Sequence, residues 1–188
     1  MPFLFQEFPK VNYDIKKNGK LETVTNIMLR FKITQAIQSR KVVYYDYTVQ
    51  EGDRPDIIAY KYYEDSTLDW LVLMANNIID PVYDWPLNSR SFEKFIIDKY
   101  GSLATAHSTV HEYRKIITQQ SVLFDGSVVP KRTLVVDQTT FSGLGATEKE
   151  SISKYQYEEE LNDNKREIKL VDSDFVANII NQYESVFE

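Results

Sequence analysis

The stretch that most constrains this chain runs from Val42 to Asn76. Residues 42–49, VVYYDYTV, are β-branched or aromatic at nearly every position and predict a strand. Glu51-Gly52-Asp53 then predicts a turn. Arg54-Pro55 predicts the start of a helix, because proline at the first helical position gives up only an N–H that has no helical acceptor. Asp53 is placed to cap that helix, and Asp56 to meet the positive end of its dipole. Ile57, Ile58, Tyr60 and Tyr62 supply its packing. A second helix is predicted from Leu68 to Asn76, apolar on most sides and therefore buried on most sides, with Trp70 in the core. A strand, an acidic turn and two helices in so short a span describe a small α+β core.

The flanks read differently. Residues 1–20 predict an extended arm in which Phe3, Phe5 and Phe8 need something to pack on, either the same chain or a neighbour. Val24, Ile27, Met28 and Phe31 fall at helical spacing and predict a short amphipathic helix. After Asn76, two residue–proline junctions (Asp80-Pro81 and Trp85-Pro86) enforce extended or turn geometry, leaving Trp85 as core or contact. A helix follows, capped at Ser89 or Ser91 and stopped by Gly101. Residues 107–141 predict β structure, with Asp125-Gly126 as a type I′ hairpin turn. Tyr155–Asn164 reads as a solvated acidic linker and Arg166–Val171 as a strand. Val176, Ile180, Tyr183 and Phe187 form a terminal helical stripe too short to stand alone.

Little of this carries catalytic chemistry. The chain holds 22 basic and 28 acidic residues, a net charge of −6, without the basic footprint of a nucleic-acid binder. Cysteine is absent, so neither a disulfide framework nor a thiolate metal site is expected. No stretch predicts a membrane span, and the N-terminus lacks the pattern of a secretory signal. His107 and His111 are the only histidines, and the Ser-Thr-Val between them argues against a helical metal pair. Glu158-Glu159-Glu160 reads as a solvated face rather than a carboxylate pair across a cleft. No catalytic, cofactor or metal residues are therefore assigned. Thirteen tyrosines suit a surface half buried against partners.

The strand–turn–helix opening, YTVQEGDRPDIIAYKYY, resembles the start of a LysM-like module, a small fold that grips cell-wall glycans. Joined in order to LDWLVLMANNIIDP and DWPL, and more weakly to VTNIMLR and YQYEEELNDNKREIKLV, it resembles a more specific family. That family is the small baseplate wedge protein of contractile-tailed phages, gene product fifty-three of the T-even type. The resemblance implies a structural subunit without catalytic residues. It would clamp helical-bundle wedge subunits and a lysozyme-like sheath-initiating subunit, linking wedges and neighbouring copies into a sixfold ring. It would sit in the virion tail after assembly in the host cytoplasm. The family often has glycine where this chain reads Tyr63-Glu64-Asp65.

The expected division is an arm and short helix over 1–41, a LysM-like β-α-α domain over 42–101, and a β-hairpin region, acidic linker and terminal helix over 102–188. Expected partner contacts are Phe3, Phe5, Phe8, Asp53, Arg54, Asn77, Ile78, Trp85, Val176, Ile180, Tyr183 and Phe187. The alternative is a peptidoglycan-binding LysM module using the Gly52–Pro55 turn and the Asn76–Asp80 loop as groove walls.

Overall fold

A computed structural model of the chain describes residues 8–28 and 44–185, the side chains of 182–185 excepted. Phe3, Phe5, Phe31, Val42, Val43, Phe187 and the Tyr183 side chain lie outside the described residues. The fold is α+β, in two compact units: residues 1–86 with 165–188, and residues 87–164.

The first unit opens with an antiparallel hairpin, β1 (Lys10–Tyr13) and β2 (Glu22–Thr25), with Lys10 opposite Thr25. This corrects the helix expected over Val24 to Met28, while its remainder through Phe31 lies outside the described residues. Thr23, Val24 and Thr25 are β-branched and take ladder positions opposite β1, and Ile27-Met28 form a turn. After β3 (Tyr44–Thr48) the chain turns into α1 (Pro55–Tyr63), with proline in its first turn as expected. The cap is a second correction, because Arg54 occupies that position without a side-chain capping bond and Asp53 bonds Tyr47, Gln50 and Lys61 instead. α1 ends on Glu64 at φ +59°, the left-handed conformation usual for glycine. A 3-10 turn (Ser66–Leu68), capped by Asp65, leads into α2 (Asp69–Ala75), where Trp70, Leu71, Val72 and Ala75 are buried. Asp80 caps the single turn α3 (Pro81–Asp84), and Asp80 and Trp85 are both extended, as the prolines after them require.

The second unit begins with α4 (Ser89–Tyr100), capped by Asn88 rather than a serine and stopped by Gly101 at φ +85°. Next come α5 (Leu103–Ser108) and β4 (Val110–Thr118), the central strand of a three-stranded sheet. A small hairpin, β5 (Ser121–Val122) with β6 (Val128–Val129), precedes β7 (Arg132–Val136), which pairs with β4. The β structure expected to reach Phe141 stops at Val136. Asp137 accepts hydrogen bonds from the Thr139 and Thr140 amides and starts α6 (Gln138–Gly143) instead. β8 (Lys149–Ser153) completes the sheet in the order β7-β4-β8. The expected acidic linker is in fact α7 (Lys154–Asn164), whose Glu158 and Asn162 are buried one helical turn apart.

The chain then returns to the first unit. β9 (Glu167–Val171) pairs antiparallel with β3, Tyr44 opposite Val171 and Thr48 opposite Glu167, and α8 (Ser173–Ser185) follows. Ile168, Leu170, Val171, Val176, Ile179 and Ile180 join Ile58, Leu68, Leu71 and Val72 in one apolar core. The order around that core is β3-α1-α2-β9, so its second strand arrives only after the whole second unit.

Candidate functional site

The turn between β3 and α1 is organised by the carboxylate of Asp53, whose residue is only 7 % exposed. Its Oδ2 accepts from the Tyr47 hydroxyl (2.7 Å) and the Gln50 amide (3.1 Å), and its Oδ1 from the Lys61 ammonium (2.6 Å). Burial alone would raise the Asp53 pKa, but the Lys61 and Tyr47 bonds and the Gln50 amide together hold it below the usual carboxylate range. Tyr47 is displaced the other way, to about 12, by its burial and by the anion it donates to. The Asp53 carbonyl accepts from the Trp85 indole Nε1 (3.0 Å), which pins the far end of the second loop against this turn. Trp85 is itself buried in the core.

The loop after α2 is built by its asparagines. The Asn76 amide donates to the carbonyls of Val72 (2.8 Å) and Lys169 (2.9 Å) and accepts from the Lys169 amide (2.8 Å). It thereby completes the ladder on β9 as a third strand would. Asn77 takes φ +55°, a conformation asparagine tolerates better than most residues, and Ile78 turns back to pack on the core. Ile79, Val82 and Tyr83 are left exposed in sequence after it. The returning chain fastens the same end of the unit. The Lys165 ammonium donates to the Tyr83 carbonyl (2.6 Å), and Arg166 reaches the Val49 carbonyl (3.3 Å) and Glu51 (3.7 Å). Arg54 lies outside this network and grips Asp56 through two bonds of 3.1 and 2.8 Å.

The expected contact residues therefore fall into separate places. Asp53, Arg54, Asn77, Ile78 and Trp85 belong to one end of the first unit, though only Arg54 among them presents a broadly exposed ionic head. Phe8, Val176 and Ile180 are buried in that unit's own core. The exposed Ile79, Val82 and Tyr83, and the cations Lys165 and Arg166, were not singled out by sequence. The IIDPVYDW run carried the signal, since three large apolar residues crowd around a proline turn that offers no face to bury them.

The second unit has an internal polar cluster. Glu158 accepts from the Lys99 ammonium (2.8 Å) and the Tyr100 hydroxyl (2.7 Å), and those bonds outweigh its burial and hold its pKa below the usual value. The expected solvation of this residue is thus corrected, while Glu159 and Glu160 on the other faces of the helix are exposed. His107, on α5, stacks on Tyr155 at 4.0 Å between centroids, and His111, on β4, stacks on Tyr157 at 3.8 Å. Among the described residues no group of three or more His, Asp or Glu side chains is placed to hold a metal, and no helix is long and apolar enough to cross a membrane. A cleft of about 370 Å³ between the sheet and α7 is lined by Arg114, Lys131, Thr133, Glu150, Glu160, Asp163 and Asn164. Arg114 is held by Glu112 and Glu160, and Lys131 by Glu150, so its cations are already matched.

No curated protein matches the chain. One protein family, described as base plate wedge protein 53, matches residues 3–125 of the 188, and the chain belongs to that family.

Proposed function

We propose that this chain is a structural, non-catalytic subunit of the baseplate wedge of a contractile phage tail. In that role it clamps inner wedge subunits, among them helical-bundle proteins and a lysozyme-like sheath-initiating subunit, and links neighbouring wedges into the ring. The observation that carries the reading is the family match over residues 3–125. The end of the first unit supports it. There a turn, a loop and the returning chain are locked by Asp53, Trp85, Asn76 and Lys165, while Ile79, Val82 and Tyr83 stay exposed. A rigid frame that presents apolar side chains suits docking, because little conformational entropy is left to lose on association.

The β3-α1-α2-β9 core is read as LysM-like, with the second unit inserted between its second helix and its closing strand. The antiparallel β3–β9 pairing and the packing of both helices on it support that reading. The asparagine-braced loop and apolar turn stand where a glycan groove would have its second wall, which favours protein over sugar as the ligand. Co-expression with the other wedge subunits of the same phage, followed by size-exclusion chromatography, is the test. Co-elution as a stable complex is expected. Separate elution of every component, together with sedimentation on purified peptidoglycan, would replace this reading with the glycan-binding one.

A further inference from the structure

The second unit projects an apolar knob. Between β5 and β6 the Leu123 amide donates to the Ser127 carbonyl (2.8 Å) and the Gly126 amide to the Leu123 carbonyl (2.9 Å). Only Gly126 in this turn has a positive φ, +81°, so it is a three-residue loop with a glycine bulge rather than the type I′ turn its Asp-Gly dipeptide predicts. The Asp125 carboxylate stiffens it by accepting from the Ser127 amide (2.9 Å) and hydroxyl (2.6 Å). Phe124 stands at the apex and is fully exposed, at 110 % of its reference area, with Val122, Leu123 and Val128 each more than half exposed around it. An exposed phenyl ring forgoes the stabilisation that burial would give. Holding it on a turn braced by its own hydrogen bonds is preorganisation for a receptor.

We propose that Phe124, flanked by Val122, Leu123 and Val128, is an anchor that inserts into a preformed apolar pocket on a different polypeptide of the baseplate wedge. The inference rests on the wedge reading above and names one contact within it. Residues 119–130 contain no lysine or arginine, and their one charge, Asp125, is engaged within the turn. The knob therefore has nothing to offer nucleic-acid phosphates or anionic lipid headgroups. The cleft of this same unit, lined by Arg114, Lys131, Glu150 and Glu160, offers it no apolar receptor in a second copy. The four side chains expose apolar area on the order of 400 Å², the size of the largest patches on monomers, which are often functional, and about half of one side of a standard interface. That size suits an aromatic hot spot within a wider contact.

The test uses the full-length chain and the other wedge subunits of the same phage, with affinity measured for wild type, Phe124→Ser and Phe124→Leu. Unfolding of each variant alone serves as a folding control. The expected result is at least tenfold weaker binding for Phe124→Ser, a smaller loss for Phe124→Leu, and unchanged unfolding midpoints. Equal affinity of wild type and Phe124→Ser would overturn the anchor while leaving the wedge reading in place. Failure of wild type to bind any wedge subunit would overturn both. Flotation with phosphatidylcholine–phosphatidylglycerol vesicles, or self-association in sedimentation velocity, that is lost on Phe124→Ser would also overturn the anchor, assigning the knob to a membrane or to a second copy.

Discussion

Replacing Asp53 by alanine should destabilise the chain by about 3–4 kcal/mol, although its charge partner Lys61 is half exposed. The size follows from the three groups its carboxylate serves. The Tyr47 hydroxyl (2.7 Å) and Gln50 amide (3.1 Å) donate to an ion, and such bonds contribute about 1.5–3 kcal/mol each. Gln50 is exposed and Tyr47 half buried, so water partly replaces what is lost and the lower end of that range applies. Lys61 adds no more than about 1 kcal/mol, because its side chain is 55 % exposed and screened. The pH dependence gives an independent check. Asp53 has a lowered pKa in the fold, so its contribution is complete above the unfolded value near 3.9 and is lost as pH falls through the lower folded value. Urea unfolding of wild type, Asp53→Ala and Asp53→Asn from pH 7 to pH 2 measures both effects. Wild type should lead both variants at neutral pH, and its lead over Asp53→Asn should close below about pH 4. A cost for Asp53→Ala under about 0.5 kcal/mol, typical of a surface change, or a lead over Asp53→Asn that persists at pH 2, would refute the assignment of this carboxylate as the organiser of the turn.

Other perturbations follow from the same structure. Tyr47, raised to about 12, stabilises the fold below the unfolded value near 10 and loses that contribution as pH rises toward 12, so Tyr47→Phe should flatten alkaline unfolding in that window. Asn76→Ala removes the bonds to the exposed Lys169 amide and carbonyl on β9 and should cost about 1–2 kcal/mol by urea unfolding, whereas Asn76→Gln, one methylene too long, should recover little. Glu64→Gly should raise stability by up to about 1 kcal/mol by relieving the left-handed conformation at the end of α1, which differential scanning calorimetry will register as a higher Tm.

Local chemistry made much of the fold legible. Pro55 in the first turn of α1, Gly101 after α4, the buried Trp70 and the strands at 44–48 and 167–171 all follow from residues next to one another. What sequence does not reveal is that those two strands pair. β-Propensity marks a strand but not its partner, and here the whole second unit lies between them. The burial of Glu158 is illegible for a related reason. Within the run 158–160 nothing distinguishes it, and only the arrival of Lys99 and Tyr100 from a distant helix makes it an interior anion. In β2 the helical spacing of Val24, Ile27 and Met28 was real but weaker than the β-branched Thr-Val-Thr run, once β1 offered a ladder. The end of the first unit was half legible: Asp53, Arg54 and Trp85 were singled out, but the brace from Asn76 and Lys165 depends on contacts across long stretches of chain.

The insertion has a consequence that can be tested directly. On the first-unit side, Lys165 bonds the Tyr83 carbonyl and Arg166 accepts at its own carbonyl from the Val49 amide (2.8 Å), so the chain leaves and returns at neighbouring points. On the second-unit side the Leu87 amide donates to Asn162 Oδ1 (2.7 Å) and Asn162 Nδ2 returns a bond to the Leu87 carbonyl (3.1 Å), closing that unit in the same manner. Each unit also has its own core, one around Leu71 and Leu170, the other around Phe92, Ile96 and Ala106. Residues 87–164 should therefore be replaceable by a linker of about five Gly/Ser residues, which spans up to roughly 17 Å. Loop-closure entropy then favours the shorter connection. The excised protein should unfold cooperatively and retain the near-ultraviolet circular dichroism of packed aromatic side chains. Truncation at 165 should not, because it removes Ile168, Leu170, Val171, Val176, Ile179 and Ile180 from the first core along with the partner of β3. An excised protein with helical far-ultraviolet signal but no near-ultraviolet signal would be molten. That result would mean that β9 finds β3 only when the second unit delivers it, and that the two units fold as one.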